Sequence, residues 1–256
     1  MPPAIIDGDL SQTAVREQLV EQLRTLGVAI FTGIRGPEHL LGFAGALMTV
    51  VAHPDSDRSG LTTITDLGPA GQHPNAAGFS HRALPPHTDR SGVAHPPALL
   101  LTACASTAAA GGACRLIDGL AVHDDLAATC PEALAAFAQP RTTLFGGAGG
   151  YLGSVFTDIP AANGAPARRA IRLRLDDLVR FSPQIAGWVP SLQTVIARHS
   201  HSFDLAVGQG YLVDNHRWLH ARDAYEGPRA LYRLHGDPLP GLGLHPGIPL
   251  EPSSAL

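Results

Sequence analysis

The stretch PALLLTACASTAAAGGACRLIDG, residues 97–119, holds two short apolar runs, 97–105 and 114–119, on either side of an Ala- and Gly-rich segment. Runs of this length bounded by Pro and Gly read as strands. The texture recurs in RTTLFGG (141–147), YLGSVF (151–156), RAIRLRL (169–175), GYLVDN (210–215) and RALYRLHG (229–236). Many short strands separated by turn residues predict a sandwich or barrel rather than a parallel α/β sheet. Helices are predicted at 121–138 and around 191–199. In residues 11–26, Val15, Leu19, Leu23 and Leu26 recur at helical spacing, with Ser11 as N-cap and Gly27 as stop. Residues 36–51 read as a further helix. The fold class expected is mainly β with flanking helices, in one domain over 1–256. Residues 66–83, rich in Gly, Pro, His and Asn, read as a long irregular loop of the kind that covers a site. Its His73, Asn75, Phe79, Ser80 and His81 are candidate substrate contacts.

Composition narrows the function. Of the 256 residues 45% are hydrophobic and 16% charged, which suits a sizeable core. A net charge of −4 offers no basic footprint for nucleic acid. The start MPPAIIDGDL lacks the basic and apolar regions of a signal peptide, and LLGFAGALMTVVA (40–52) is too short to span a bilayer. The expectation is a soluble, cytoplasmic protein acting on a small molecule. Three cysteines without a CxxC pair argue against a disulfide framework or a cysteine zinc site. All 18 basic residues are arginine, which excludes a Schiff-base lysine and a P-loop lysine.

LPPHTDRS, residues 84–91, sets His87 and Asp89 two apart after paired prolines. In an extended strand both side chains point to one side and could converge on one atom, with Pro85 and Pro86 stiffening the approach. Taken alone, the pattern is a surface turn. DNHRWLHAR, residues 214–222, offers His220 as a third group. Two histidines and one carboxylate can occupy one face of an octahedral Fe(II) and leave three positions open for a bidentate 2-oxo acid and O2. A structural zinc would want four protein ligands. His216 and His220 are also spaced as a helical zinc pair, but HRWLH lacks the Glu of HExxH and follows a strand. His199 and His201, and the arginines of RRAIRLRLDD, read as solvated.

PPHTDRS, GGACRLIDG and DNHRWLHARDAYEGPRALYR, in this order between residues 87 and 233, together resemble the Fe(II)/2-oxoglutarate-dependent oxygenases related to taurine dioxygenase and clavaminate synthase. The resemblance implies a double-stranded β-helix (jelly roll), with His87, Asp89 and His220 as iron ligands. It implies Fe(II), 2-oxoglutarate and O2 as cofactor and co-substrates, with release of succinate and CO2. An arginine after the distal histidine would pair with the far carboxylate of 2-oxoglutarate through two parallel charge-assisted hydrogen bonds. Arg229 takes that role by position, and Arg233 lies near the keto-acid end or the substrate. The interval from His220 to Arg229 is short for the family, so the two arginines could exchange roles. Cys114 stands where relatives carry Thr or Ser, and a thiol is a weaker donor. Thr102 or Arg115 could share that contact. Arg233, Arg90 or Arg222 could hold a substrate carboxylate, which suits an amino-acid-like or natural-product metabolite. Because Asp89 is present, hydroxylation rather than halogenation is the default, with desaturation or cyclisation left open. A zinc hydrolase using the same three ligands and a non-catalytic jelly-roll binding module are the rival readings.

Overall fold

In the computed structural model, which describes residues 3–68, 74–162 and 164–250, the strand β6 (Leu99–Ser106) shows why LLLTACA does not alternate polar with apolar. Its Leu99, Leu101 and Ala103 face one buried layer and its Leu100 and Cys104 another. Both faces are covered, so the strand reads as one apolar run. Thr102, between Leu100 and Cys104 in the two-residue period, shares their face.

β6 lies within a seven-stranded sheet. Its order is β1 (Ile5–Ile6), β2 (Val28–Phe31), β15 (Gly210–Asp214), β6, β18 (Ala230–Pro238) and β3 (Met48–Val50), with β4 (Thr62–Ile64) also paired to β18. The second sheet has the order β14 (Ser200–Phe203), β8 (Cys114–Asp118), β16 (Trp218–Arg222) and β5 (Leu84–His87). The inner faces meet in one apolar layer that joins Val28, Ile30, Leu100, Val213 and Leu231 to Cys114, Leu116 and Trp218. Two sheets closed over such a layer form the double-stranded β-helix.

Helices cover both outer faces. α1 (Thr13–Leu26) and α2 (Pro37–Gly45) bury Leu19, Leu23, Leu40 and Phe43 against Phe31, Leu101 and Leu212 of the larger sheet. α3 (Gly119–Thr129), α4 (Pro131–Phe137), α5 (Pro183–Ala186) and α6 (Val189–Arg198) pack on Ile117 and Leu219 of the smaller one. Each Leu or Phe removed from water in these layers contributes about 1.5–3 kcal/mol. Three small ribbons complete the chain: β10 (Tyr151–Gly153), β9 (Thr143–Phe145) and β13 (Val179–Phe181); β11 (Phe156–Ile159), β12 (Arg168–Ile171) and β19 (Ile248–Pro249); and β17 (Tyr225–Glu226) with β7 (Ala110–Gly111).

Several element ends differ from the sequence reading. Ser11 does not cap α1: the N-cap is Gln12, without a side-chain hydrogen bond, while the Ser11 amide donates to Asp9. Gly27 does stop the helix, in the left-handed conformation at φ 70°. The second helix ends at Gly45, because Met48–Val50 pairs with β18 as an edge strand. The helix expected over 121–138 breaks at Cys130, where Pro131 starts a new one. A 3₁₀ helix, Pro74–Phe79, interrupts the 66–83 loop. Among the described residues no helix is long and apolar enough to cross a membrane.

Candidate metal centre

β5 is the outermost strand of the smaller sheet, and its pairing with β16 shifts register between His220 and Arg222, so an edge and an irregularity together accommodate Pro85 and Pro86. It ends at His87, which pairs directly with His220 of β16, and the two imidazole centroids lie 4.1 Å apart. Asp89 does not continue the strand. The backbone leaves the sheet at Thr88, whose N–H donates to Leu173 O (2.8 Å). Asp89 is then clamped by buried Asn215: its N–H donates to Asn215 Oδ1 (2.8 Å), and Asn215 Nδ2 donates to Asp89 O (3.0 Å) and Pro97 O (2.9 Å). A turn and a side-chain clamp, not strand alternation, thus bring the carboxylate to the histidines.

Asp89 Oδ1 lies 3.3 Å from His87 Nε2 and 3.5 Å from His220 Nε2. The three ligand atoms fall within 4.8 Å of one another. His87 Nδ1 sits 2.9 Å from Pro85 O, so it carries the ring proton and leaves the Nε2 lone pair for a metal. His220 Nδ1 is buried and has no hydrogen-bond partner among the described residues. Burial, then the neighbouring His87, push the His220 imidazole down to about 4, so at neutral pH it is in the ligating form. Burial acts to raise the Asp89 carboxyl, but the Arg233 guanidinium and the hydrogen bond from His235 outweigh it and hold the group well below the ordinary carboxylate range. A buried anion and a neutral imidazole, with a second imidazole aimed at the same point, fit a divalent cation with borderline nitrogen and oxygen preference.

The three arginines after His220 part ways. Arg229 is buried; its Nη2 donates to Gly112 O (3.2 Å) and lies 3.7 Å from Cys114 Sγ, with the guanidinium over the Tyr225 ring. A Cβ on Gly112, at φ +80°, would come within 3.2 Å of Arg229 Nε, so the second glycine of GGAC makes room for the guanidinium. Burial pushes the Cys114 thiol up to about 11, which keeps its proton available for donation. Arg233 instead donates from Nη1 to Asp89 Oδ2 at 3.1 Å. Thr102 sits opposite both Arg233 and Tyr211 on the inner face.

Arg222 departs from the sequence reading. Its guanidinium is spent on the backbone, donating to Gly78 O (3.1 Å), Ser80 O and Arg82 O, and is not free for a substrate carboxylate. It ties the 66–83 loop to β16, two residues beyond His220. Phe79 is buried in the inner layer, Ser80 donates to Ala77 O, and exposed His81 pairs with Asp66. His73 and the side chain of Asn75 lie outside the described residues. Arg90, in the left-handed region at φ 57°, follows Asp89. His216 turns away to Pro96 O. His199 is half-buried and pairs with Asp125 at 2.8 Å. Arg172 does not lie on a solvated face, as it donates to Ser91 O, Val93 O and Ala94 O and so anchors the segment after Asp89. Sequence reasoning missed Asn215 and His235, both in contact with Asp89 and neither in a local pattern that marks them.

The sequence matches, over residues 5–235, the family described as taurine catabolism dioxygenase TauD, TfdA family. No match is found among curated proteins. Among solved structures, an asparagine oxygenase in complex with Fe(II), 3-hydroxyasparagine and succinate superposes with a TM-score of 0.66 at 13% identity, covering 92% of this chain and 85% of that one. AAD-2, in complex with Mn(II) and N-oxalylglycine, gives 0.66 at 16% identity, covering 91% and 94%. The non-haem iron oxygenase OrfP, in complex with Fe, succinate and (3S)-hydroxy-L-Arg, gives 0.64 at 13%, covering 88% and 81%. At these identities the superpositions speak for the fold alone. The family match spans most of the chain and contains all three converging side chains, and the chain belongs to the TauD/TfdA dioxygenase family.

Proposed function

We propose that this single-domain chain is a 2-oxoglutarate-dependent oxygenase in which His87, Asp89 and His220 hold Fe(II), and that it oxidises a small amino-acid-like metabolite. The observation that carries the reading is the convergence of the three ligand atoms within 4.8 Å, at the junction of β5, its following turn and β16. Bound iron with 2-oxoglutarate and O2 supplies oxidising power, yielding succinate, CO2 and, by default, a hydroxylated product. The chain's own groups bind and orient. Arg229 takes the far carboxylate of 2-oxoglutarate with Cys114 beside it, a division supported by the contact between them and by the engagement of Arg233 with Asp89. Arg233 and Arg90 remain as charged groups for a substrate carboxylate. Phe79 is buried in the inner apolar layer and Arg222 ties its loop to β16 two residues beyond His220, an arrangement suited to limiting water at the reacting centre. The asparagine oxygenase and OrfP complexes, which hold hydroxylated amino acids, support the choice of substrate class.

Anaerobic titration with Fe(II) and then 2-oxoglutarate tests the reading. The weak visible charge-transfer band of a keto-acid chelate is expected, and is expected to vanish in His87→Ala. A protein that binds no 2-oxoglutarate under these conditions is not this enzyme. Succinate release across a panel of free amino acids and their derivatives then identifies the substrate.

A further inference from the structure

The Asp89 carboxylate has two oxygens, and only Oδ1 faces His87 and His220. Oδ2 is held from the other side, by His235 Nε2 at 2.7 Å and Arg233 Nη1 at 3.1 Å. An ionised carboxylate only accepts, so His235 carries its proton on Nε2. His235 is 1% exposed and stands on the inner face of β18, where the two-residue period aligns it with Leu231 and Arg233. Its ring stacks on that of His53, with centroids 5.5 Å apart and planes 25° from parallel. A rigid ring fixed in this way defines the rotation of the carboxylate more firmly than the long Arg233 side chain does.

We propose that His235 is a positioning residue for Asp89: by occupying Oδ2 it makes the carboxylate meet the metal through Oδ1 alone. The proposal rests on the reading of Asp89 as an iron ligand. Its functional point is coordination arithmetic. Three protein atoms leave three of six positions, enough for a bidentate keto acid and O2, whereas an aspartate binding through both oxygens leaves two. Groups that orient a metal ligand are commonly worth 10–100-fold in affinity.

The test is anaerobic titration with Co(II), followed by its d–d absorption, in the wild type, His87→Ala, His235→Gln and His235→Leu. The Leu variant should bind Co(II) 10–100-fold more weakly, with an altered d–d band as the freed carboxylate meets the metal through both oxygens in place of a solvent ligand. The Gln variant, whose amide can donate from the position of Nε2, should recover both affinity and band. Wild-type affinity and spectrum in a folded Leu variant would overturn the proposal, as would a folded Gln variant as impaired as Leu. If the wild type binds no Co(II), or His87→Ala binds it unchanged, the metal-site reading itself fails, which is a separate result. Should the Leu variant not fold, ¹⁵N-histidine NMR of the Zn(II)-loaded wild type decides. An Nε2-protonated His235 with a downfield proton supports the proposal, and an Nδ1-protonated one overturns it.

Discussion

Replacing Asn215 by Asp changes one group in a buried clamp and leaves its shape. The native amide accepts from the Asp89 N–H and donates to the carbonyls of Asp89 and Pro97, and the residue is 1% exposed. Asn215→Asp keeps the acceptor and exchanges the two-proton donor for an oxygen. Two buried carbonyls then lose their partner, at about 1–3 kcal/mol each, and the new oxygen faces them. A loss of about 4 kcal/mol is expected at pH 7.5, a large share of the roughly 5–15 kcal/mol that holds a domain. With a urea dependence near 3 kcal/mol per molar, at the upper end for single domains, the unfolding midpoint of the metal-free protein should fall by about 1.3 M. The new carboxyl is stabilised in its protonated form, which can donate one of the two lost bonds. Its folded-state pKa therefore lies above the unfolded value, and the deficit should be largest above that pKa and shrink as pH falls through it. Urea titrations at pH 7.5 and pH 5 read both effects. A midpoint shift under about 0.3 M, or a deficit that grows on acidification, would show that the clamp is not what holds the turn carrying Asp89.

Arg229→Ala should raise the 2-oxoglutarate KM on the order of 100-fold, the worth of a lost charge-assisted pair, and leave the metal titration unchanged. Cys114→Ser supplies a stronger donor beside Arg229 and should lower that KM about 2- to 10-fold; a higher KM would mean that the thiol is not the weak contact. Arg222→Ala frees the carbonyls of Gly78, Ser80 and Arg82 and should speed amide exchange through 78–82, with Co(II) affinity within about twofold of wild type. His53 is pushed down to about 4, by burial first and then by the charges of Arg233, His235 and Arg90. Between pH 6.5 and about 4 the unfolded chain takes up a proton that the folded His53 refuses, so stability falls as pH falls through this window. At about 1.4 kcal/mol per pH unit the interval amounts to roughly 3 kcal/mol. His53→Phe keeps a ring against His235 and should flatten that part of the urea-midpoint profile of the metal-free protein; an unchanged slope would exclude His53 as its source.

What could be read from the sequence follows from how narrowly chemistry restricts each position. A ferrous site with open positions admits few residue types, so His87, Asp89 and His220 stood out, and the structure brings their ligand atoms together. The β-rich texture was legible for the same reason, because short apolar runs bounded by Gly and Pro have few other uses. The failures lie where position does not restrict use. Arg222, Arg229 and Arg233 are the same residue type within twelve positions, yet one guanidinium ties down a loop, one rests on Gly112 and Cys114, and one braces Asp89. Which carbonyl or carboxylate each meets depends on loops that arrive from 117 to 144 residues away. Asn215 and His235 were overlooked for a related reason: they reach Asp89 across 126 and 146 residues, and in the linear sequence each is an ordinary polar residue within a run that reads as a strand. The structure does bring the His-x-Asp pair together with His220, but not by strand alternation, since β5 stops at His87 and the carboxylate arrives on a turn. That difference matters for function. A ligand on a strand is held by the ladder, whereas one on a turn is only as well aimed as the side chains gripping it. The geometry of this centre therefore depends on Asn215 at the backbone of Asp89 and on His235 and Arg233 at its outer oxygen as much as on His87, Asp89 and His220 themselves.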